Sequence, residues 1–359
     1  MHGLKGLSSA KIVVLSMLLG QSACLAARQL VQSASPSAAS PTAEQECSRK
    51  RAEALSLAQA GGSSRAVTLL TDLYSKCPGY ENGRDLADAE VEAGQYENAK
   101  TLVTSLLKQQ DRAELHSILG NAEAAQKNYK AAAVEYQKAA EMDPSETRIF
   151  DFGMSLFHLD HNAAITILRY GMQEYPGSIK LHVALGTVLY ADGKSLEGAQ
   201  LLCEAEELNP SDPHPMELLA ETEIVPPELA PRIISLFADL HKRYEHDGLI
   251  LYDYTMVQSG RWSRSTDPPP PHFADSLEAA LRLNPKLPQA YFQISLIAEQ
   301  QKNYAEEIRL LKKAIALDPN KEEYHYRLAF AYRKSGDEPK FRQELNEFQK
   351  LHGATPDGQ

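Results

Sequence analysis

Prolines at positions 78, 144, 210, 285 and 319 each close a run of helical character. Their spacing is regular: 66 residues from Pro78 to Pro144, 66 from Pro144 to Pro210, and 34 from Pro285 to Pro319, an underlying period of 33 to 34. A fixed period of roughly 20 to 50 residues marks a chain of stacked units, each too small to bury its apolar face except on its neighbour. A length of 359 residues would otherwise suit two compact domains; the period argues for one elongated array. Inside a period the pattern predicts two helices. Residues 113–125 place Leu119 and Gly120 on a packing face, residues 129–142 carry Ala132, Tyr136 and Ala139 at spacings of four and three, and Pro144 then blocks continuation. Gly120 and Ala132 let the two helices approach closely, and Tyr136 is expected to fill the gap to the next unit. With 7% aromatic residues and a single Trp, small-residue helix packing is favoured and the expected class is all-α.

The two ends have a different character. Residues 1–26 hold Lys5 and Lys11, the apolar run Ile12–Leu19, then small residues, with no acid. That order is the order of a secretory signal peptide, and the run is too short to cross a bilayer as a helix. Cleavage is expected after Ala26 or Ala27, with the periplasm or the extracellular space as destination. A rival reading, lipidation at Cys24 after Ser22-Ala23, would tie the protein to the envelope, although Gln21 stands where an aliphatic residue is usual. Residues 27–43, rich in Ser, Ala and Pro, read as a flexible tether. The array itself is expected over 44–352, followed by a disordered tail at 353–359. Net charge is −11 for the whole chain and −13 once the two leader lysines are removed (35 basic against 48 acidic residues). Such a surface repels phosphate backbones, so nucleic acid is not expected as a partner, and no later stretch is apolar enough for a membrane span.

These units resemble the tetratricopeptide repeat family, whose 34-residue pattern has Leu-Gly in the first helix, Gly at the turn, small residues and an aromatic in the second helix, and a closing Pro. From residue 179 the match is Leu185, Gly186, Gly193, Gly198, Leu202, Ala205 and Pro210. From residue 47 it is Ala54, Gly61, Ala66, Leu70 and Pro78; from 80, Leu86, Ala87, Gly94, Ala99 and Val103. From 288 it is Tyr291, Ser295, Leu311, Ala314 and Pro319, and from 322 Leu328, Ala329, Tyr332 and Gly336. Departures are a one-residue shortening between Gly153 and Ala164, Pro226, Pro227 and Pro231 in place of a turn, and Glu307 and Phe341 at the second-helix small-residue position. The resemblance implies a right-handed superhelical solenoid of about nine antiparallel helix pairs. It also implies a non-enzymatic scaffold that holds a protein or peptide in its concave face.

First-helix positions two, five, nine and twelve line that face in the family. Laid on this chain they include Phe150, Phe157, Tyr190, Tyr254, Phe292, Tyr326 and Phe330, rings that offer large contact area at little entropic cost. The competing reading is that they are interhelix core. A carboxylate-gripping mode known in the family is not matched, since only Asn121 fits and Ser117 stands where Lys is wanted. Seven residues beyond two repeat lengths separate Pro210 from Pro285, and the excess falls in 258–271, a proline-rich insertion expected between the helices of unit seven. Its Trp262, between Arg261 and Arg264, is either a contact residue or packed back on the array. Cys47 opens the first helix of unit one and Cys77 closes its second, so antiparallel pairing would bring them together for a disulfide; Cys203 has no evident partner.

Catalytic signals are few. Gly193-Lys194-Ser195 lacks the earlier Gly of a phosphate loop, because Val188 holds that place, and Gly193 falls on a turn. His158, Asp160 and His161 suit zinc by chemistry, yet three polar residues in one short turn are ordinarily solvated. The sequence holds no His-Glu-x-x-His, Gly-x-Ser-x-Gly or Gly-x-Gly-x-x-Gly, and no metal or cofactor is expected. The alternative function is a metal- or small-ligand-binding protein or enzyme built on the repeats.

Overall fold

The computed structural model describes residues 42–222, 224–260, 262 and 268–354. The expected leader, nearly all of the tether and residues 355–359 lie outside them. Among the described residues there are eighteen helices and no strand, arranged as nine consecutive pairs. Units one to three are α1 (Ala43–Gln59) with α2 (Ser63–Lys76), α3 (Tyr80–Glu92) with α4 (Tyr96–Leu107), and α5 (Ala113–Ala125) with α6 (Tyr129–Met142). Units four to six are α7 (Glu146–Leu156) with α8 (His161–Glu174), α9 (Ile179–Ala191) with α10 (Ser195–Leu208), and α11 (His214–Glu221) with α12 (Ala230–Arg243). Units seven to nine are α13 (Gly248–Gln258) with α14 (Phe273–Leu283), α15 (Pro288–Gln300) with α16 (Tyr304–Leu317), and α17 (Glu322–Ser335) with α18 (Glu338–Ala354).

The proline period now has a structural meaning. Pro78, Pro144, Pro210, Pro285 and Pro319 each stand two residues past the last residue of a second helix, where a missing N–H costs nothing and continuation is barred. Pro176 does the same after α8. Within units the turn demands a left-handed residue at one fixed place, supplied by Gly61, Gly94 and Gly193 and, in units three and eight, by Lys127 and Lys302. That settles Gly193 as a turn residue. No helix among the described residues is long and apolar enough to cross a membrane.

Two boundaries differ from the sequence expectation. Helix α1 starts at Ala43 because Thr42 makes a capping box with Gln45, each side chain accepting the other's backbone N–H. Helix α18 runs on to Ala354, two residues into the expected tail. Tyr136 also has another role: its ring lies over Gly120 inside its own unit, where an added Cβ would come within 2.6 Å of the ring, and its hydroxyl donates to Asn121 Oδ1 at 2.7 Å.

Each helix packs on the one before and the one after. First helices of successive units also touch (α1 with α3, α3 with α5, α7 with α9, α11 with α13), whereas among second helices α10 and α12 do so. Closer approach on one side bends the array toward the first helices. The close crossing inside unit five depends on two glycines. A Cβ on Gly198 would stand 2.8 Å from the Gly186 carbonyl oxygen, which is backbone and cannot swing away, and 2.7 Å from the Tyr190 ring. Gly198→Ala should gain about 1 kcal/mol of helix propensity and lose about 1 to 3 kcal/mol to overpacking. The expected outcome is therefore a net loss, read as a lower urea midpoint with unchanged slope.

Candidate interaction groove

The first helices of units one to four set their fifth and ninth positions in register. Position five is Arg51, Arg84, Ser117 and Phe150; position nine is Leu55, Asp88, Asn121 and Met154, each series stepping by 33 residues. Across these helices runs a groove of about 600 Å³, with Leu55, Arg84, Asp88, Ser117, Asn121 and Asp151 along it and Arg148 and Glu114 at its sides.

Its charges are unevenly satisfied. Buried Asp85 receives Arg51 Nε at 2.5 Å and Arg84 Nη2 at 2.6 Å, and Arg51 also binds Glu81 at 2.9 Å, so the two guanidiniums are consumed. Arg148 is tied to Asp143 and to Ser145 Oγ. The Asn121 amide oxygen is taken by Tyr136. Asp88 and Asp151 have no ion-pair partner among the described residues, and Glu114 has only the Tyr80 hydroxyl at 3.4 Å. Asp88 is reached by water, but the groove walls thin the solvent around it. That loss of hydration, then repulsion from Glu92 and Asp85, raises its carboxyl above the ordinary range. Burial does the same to Asp151, against partial relief from Lys180 and Arg148. Two carboxyls held in this way gain from the arrival of a cation.

The aromatic residues expected at the concave face are distributed otherwise. Phe292 and Trp262 are each 8% exposed and belong to one core cluster. Tyr324 lies 5.0 Å from Phe292, and Trp262 meets Phe273 edge-on at 5.6 Å, which places it back on the array. Phe150 and Phe157 are half-buried against the core of units four and five, Phe150 beneath the Lys180 ammonium at 3.9 Å. Tyr190 and Tyr254 are half-buried in the next cluster, and Tyr190 donates to the Ile224 carbonyl at 3.2 Å. Tyr326, 40% exposed, and Phe330 touch each other at 4.6 Å on the last unit, with Phe348 and Phe341 behind them. The structure therefore unites Tyr326 with Phe330 but does not make one aromatic strip of the eight.

The remaining candidates have structural tasks. His158 stacks on Tyr129 at 4.3 Å, Asp160 caps α8 by accepting from Asn162 and Ala163, and His161 stacks on Phe157. Among the described residues no three His, Cys, Asp or Glu side chains converge as metal ligands. Cys47 and Cys77 form a disulfide with Cα atoms 6.5 Å apart. Cys203 is a buried thiol, pushed up to about 12 by burial, and so stays protonated and unreactive. Three buried imidazoles go beyond the sequence expectation: His182, whose Nδ1 lies 2.7 Å from the Ser178 carbonyl oxygen, His116, which bridges Glu135 and Asp111, and His325, which bridges Glu344 and the Pro319 carbonyl. His116 and His325 share a spacing of 19 residues to their Glu partners, which marks the pair in the sequence.

A bent stack of antiparallel helix pairs with a groove along its first helices defines a helical-repeat solenoid. The family profile described as "Tetratricopeptide repeat" matches residues 84–147 and 274–322, and the chain carries tetratricopeptide repeats. Such repeats typically serve as protein-interaction scaffolds. No curated protein matches the sequence. Among solved structures, MamA MSR-1 is similar at 24% identity and TM-score 0.38, over 46% of this chain and 97% of that one. YrrB, described as a TPR protein with an unusual peptide-binding site, is similar at 17% and 0.39, over 49% and 91%. A tetratricopeptide repeat protein from Parabacteroides merdae is similar at 13% and 0.45, over 80% and 99%.

Proposed function

We propose that this chain is an exported, non-enzymatic scaffold that holds a protein or peptide segment along its first-helix groove. The observation that carries the reading is the register of Leu55, Asp88 and Asn121, with Arg84 and Ser117 beside them, in a groove that reaches from unit one to Asp151 of unit four and so offers an extended segment contacts at a repeating interval. Unneutralised Asp88, Glu114 and Asp151 favour segments bearing Lys or Arg and select against acidic ones. Export rests on the basic, apolar and small-residue order of residues 1–26, and N-terminal sequencing of the secreted chain should begin at Ala27 or Arg28.

The test is binding to a partner recovered from envelope extract and then purified. Replacing Asp88 and Asp151 with Lys should weaken its affinity by at least about tenfold, or about 1.4 kcal/mol, with the fold intact by circular dichroism. Tyr326→Ala with Phe330→Ala should change it by less than about threefold. The opposite pattern would move the site to the last unit.

A further inference from the structure

In units one to five the second helix carries a small buried residue where it crosses the first: Ala66, Ala99, Ala132, Ala164 and Gly198. In unit eight that place belongs to Glu307 of α16, which is 2% exposed and whose Oε2 has no hydrogen-bond partner. Helix α16 packs on α15 and α17, and the charged groups facing Glu307 from them are Glu299 of α15 and Arg327 and Lys334 of α17. Both cations are already committed to Glu299, Arg327 Nη1 at 3.1 Å and Lys334 Nζ at 2.5 Å. Arg327 still keeps a buried Nε without a partner. On α16 itself, Glu306 is held by Arg309. Two carboxylates thus share two cations, and the more buried one has neither. Burial first, and repulsion from Glu299 second, lift the Glu307 carboxyl to about 7.

We infer that Glu307 is a proton-controlled latch between units eight and nine. As a neutral acid it fills the crossing of α15 and α16; as a carboxylate it draws Arg327 and Lys334 away from Glu299 and loosens the junction of α15 to α17. The same two cations wall a cavity of about 360 Å³ beside Trp262, so ionisation also reshapes the surface there. For an acid raised in the folded state, stability is fully present below the unfolded value near 4.5 and is lost as pH rises through about 7.

Amide hydrogen exchange on the full chain between pH 5 and pH 8, corrected for the chemical rate, tests this. The opening equilibrium of α15 to α17 should rise by roughly 50- to 100-fold across that range, with the α5–α6 pair of the same molecule as the internal control. In Glu307→Gln the rise should fall below about threefold. Glu307→Ala, which restores a small residue at the crossing, carries the same expectation should the amide fail to pack. An undiminished rise in either folded variant, or a rise in the natural chain no larger than that of α5 and α6, would overturn the latch.

Discussion

Phe237→Ala is expected to destabilise the protein by about 3 to 5 kcal/mol, the range for removing a fully buried aromatic side chain. Phe237 is 1% exposed and fills the centre of a cluster with Leu202, Met216, Leu219, Ile233 and Ile250, drawn from α10, α11, α12 and α13. The dependence is severe because α11 has only 8 residues, and isolated helices below about 12 to 15 residues barely hold in water. Helix α12 is fastened back to α10 by Arg232 on Glu207, at 3.0 and 2.7 Å, and by Arg243 on buried Glu206, but partly exposed ion pairs offset little of a lost core. Since neighbours stabilise one another in a repeat array, units five to seven should unfold in a separate, earlier transition in calorimetry. Leu208→Ala is the control: at 47% exposure it should change stability by less than about 0.5 kcal/mol. A loss under about 1 kcal/mol for Phe237→Ala would mean that unit six is not packed around this ring.

Unit six also shows where the sequence stopped being informative. In units one, three and five the punctuation is local: a Pro two residues past the second helix, a small residue at the crossing, a left-handed residue in the turn. Runs 113–125 and 129–142 coincide with α5 and α6 for that reason. In unit six Pro226 and Pro227 occupy the connection and Pro231 enters the first turn of α12, so none of the usual marks falls in its usual place. The pair exists because tertiary burial of Ile233, Phe237 and Leu240 holds it, a spacing of four and three that reads as a helix but does not say what it packs on. Lys127 and Lys302 make the complementary point. A backbone position can require the left-handed region without glycine marking it, when neighbouring helices fix the turn.

The candidate groove is legible in the sequence by position and not by residue type. Counting in steps of 33 from Arg51 and Leu55 leads directly to Arg84, Asp88, Ser117 and Asn121. Large rings at the same positions fall mostly in the C-terminal half. There, counting gives the angular place of a side chain but not what covers it. Phe292 stands at a groove position and is nonetheless closed over by Tyr324 and the Trp262 cluster. Phe341 of α18, at a place meant for a small side chain, meets Phe330 at 5.8 Å and closes the space behind that ring. No one-dimensional pattern reports the size of the neighbour that fills such a gap.

Cys47→Ser is expected to cost the first helix pair about 3 to 4 kcal/mol, from the loop-closure entropy of a cross-link between residues 30 apart. The consequence should be local at first. Helix α1 has no helix before it among the described residues, and it rests on α2 and on a small contact with α3. Amide exchange in α1 should therefore accelerate by roughly 200- to 1000-fold on loss of the bridge, while units three to five change little. The effect then reaches the groove, because α1 supplies Leu55 to its wall and Arg51 to Asp85. With α1 frayed, the groove loses the Leu55 wall and the Arg51 anchor of Asp85, and with them contact area for a bound segment. Partner affinity should fall in Cys47→Ser and recover when α1 is stabilised by other means. A variant that loses the bridge but keeps both α1 protection and affinity would show that packing on α2 and α3, and not the disulfide, holds the N-terminal wall of the groove.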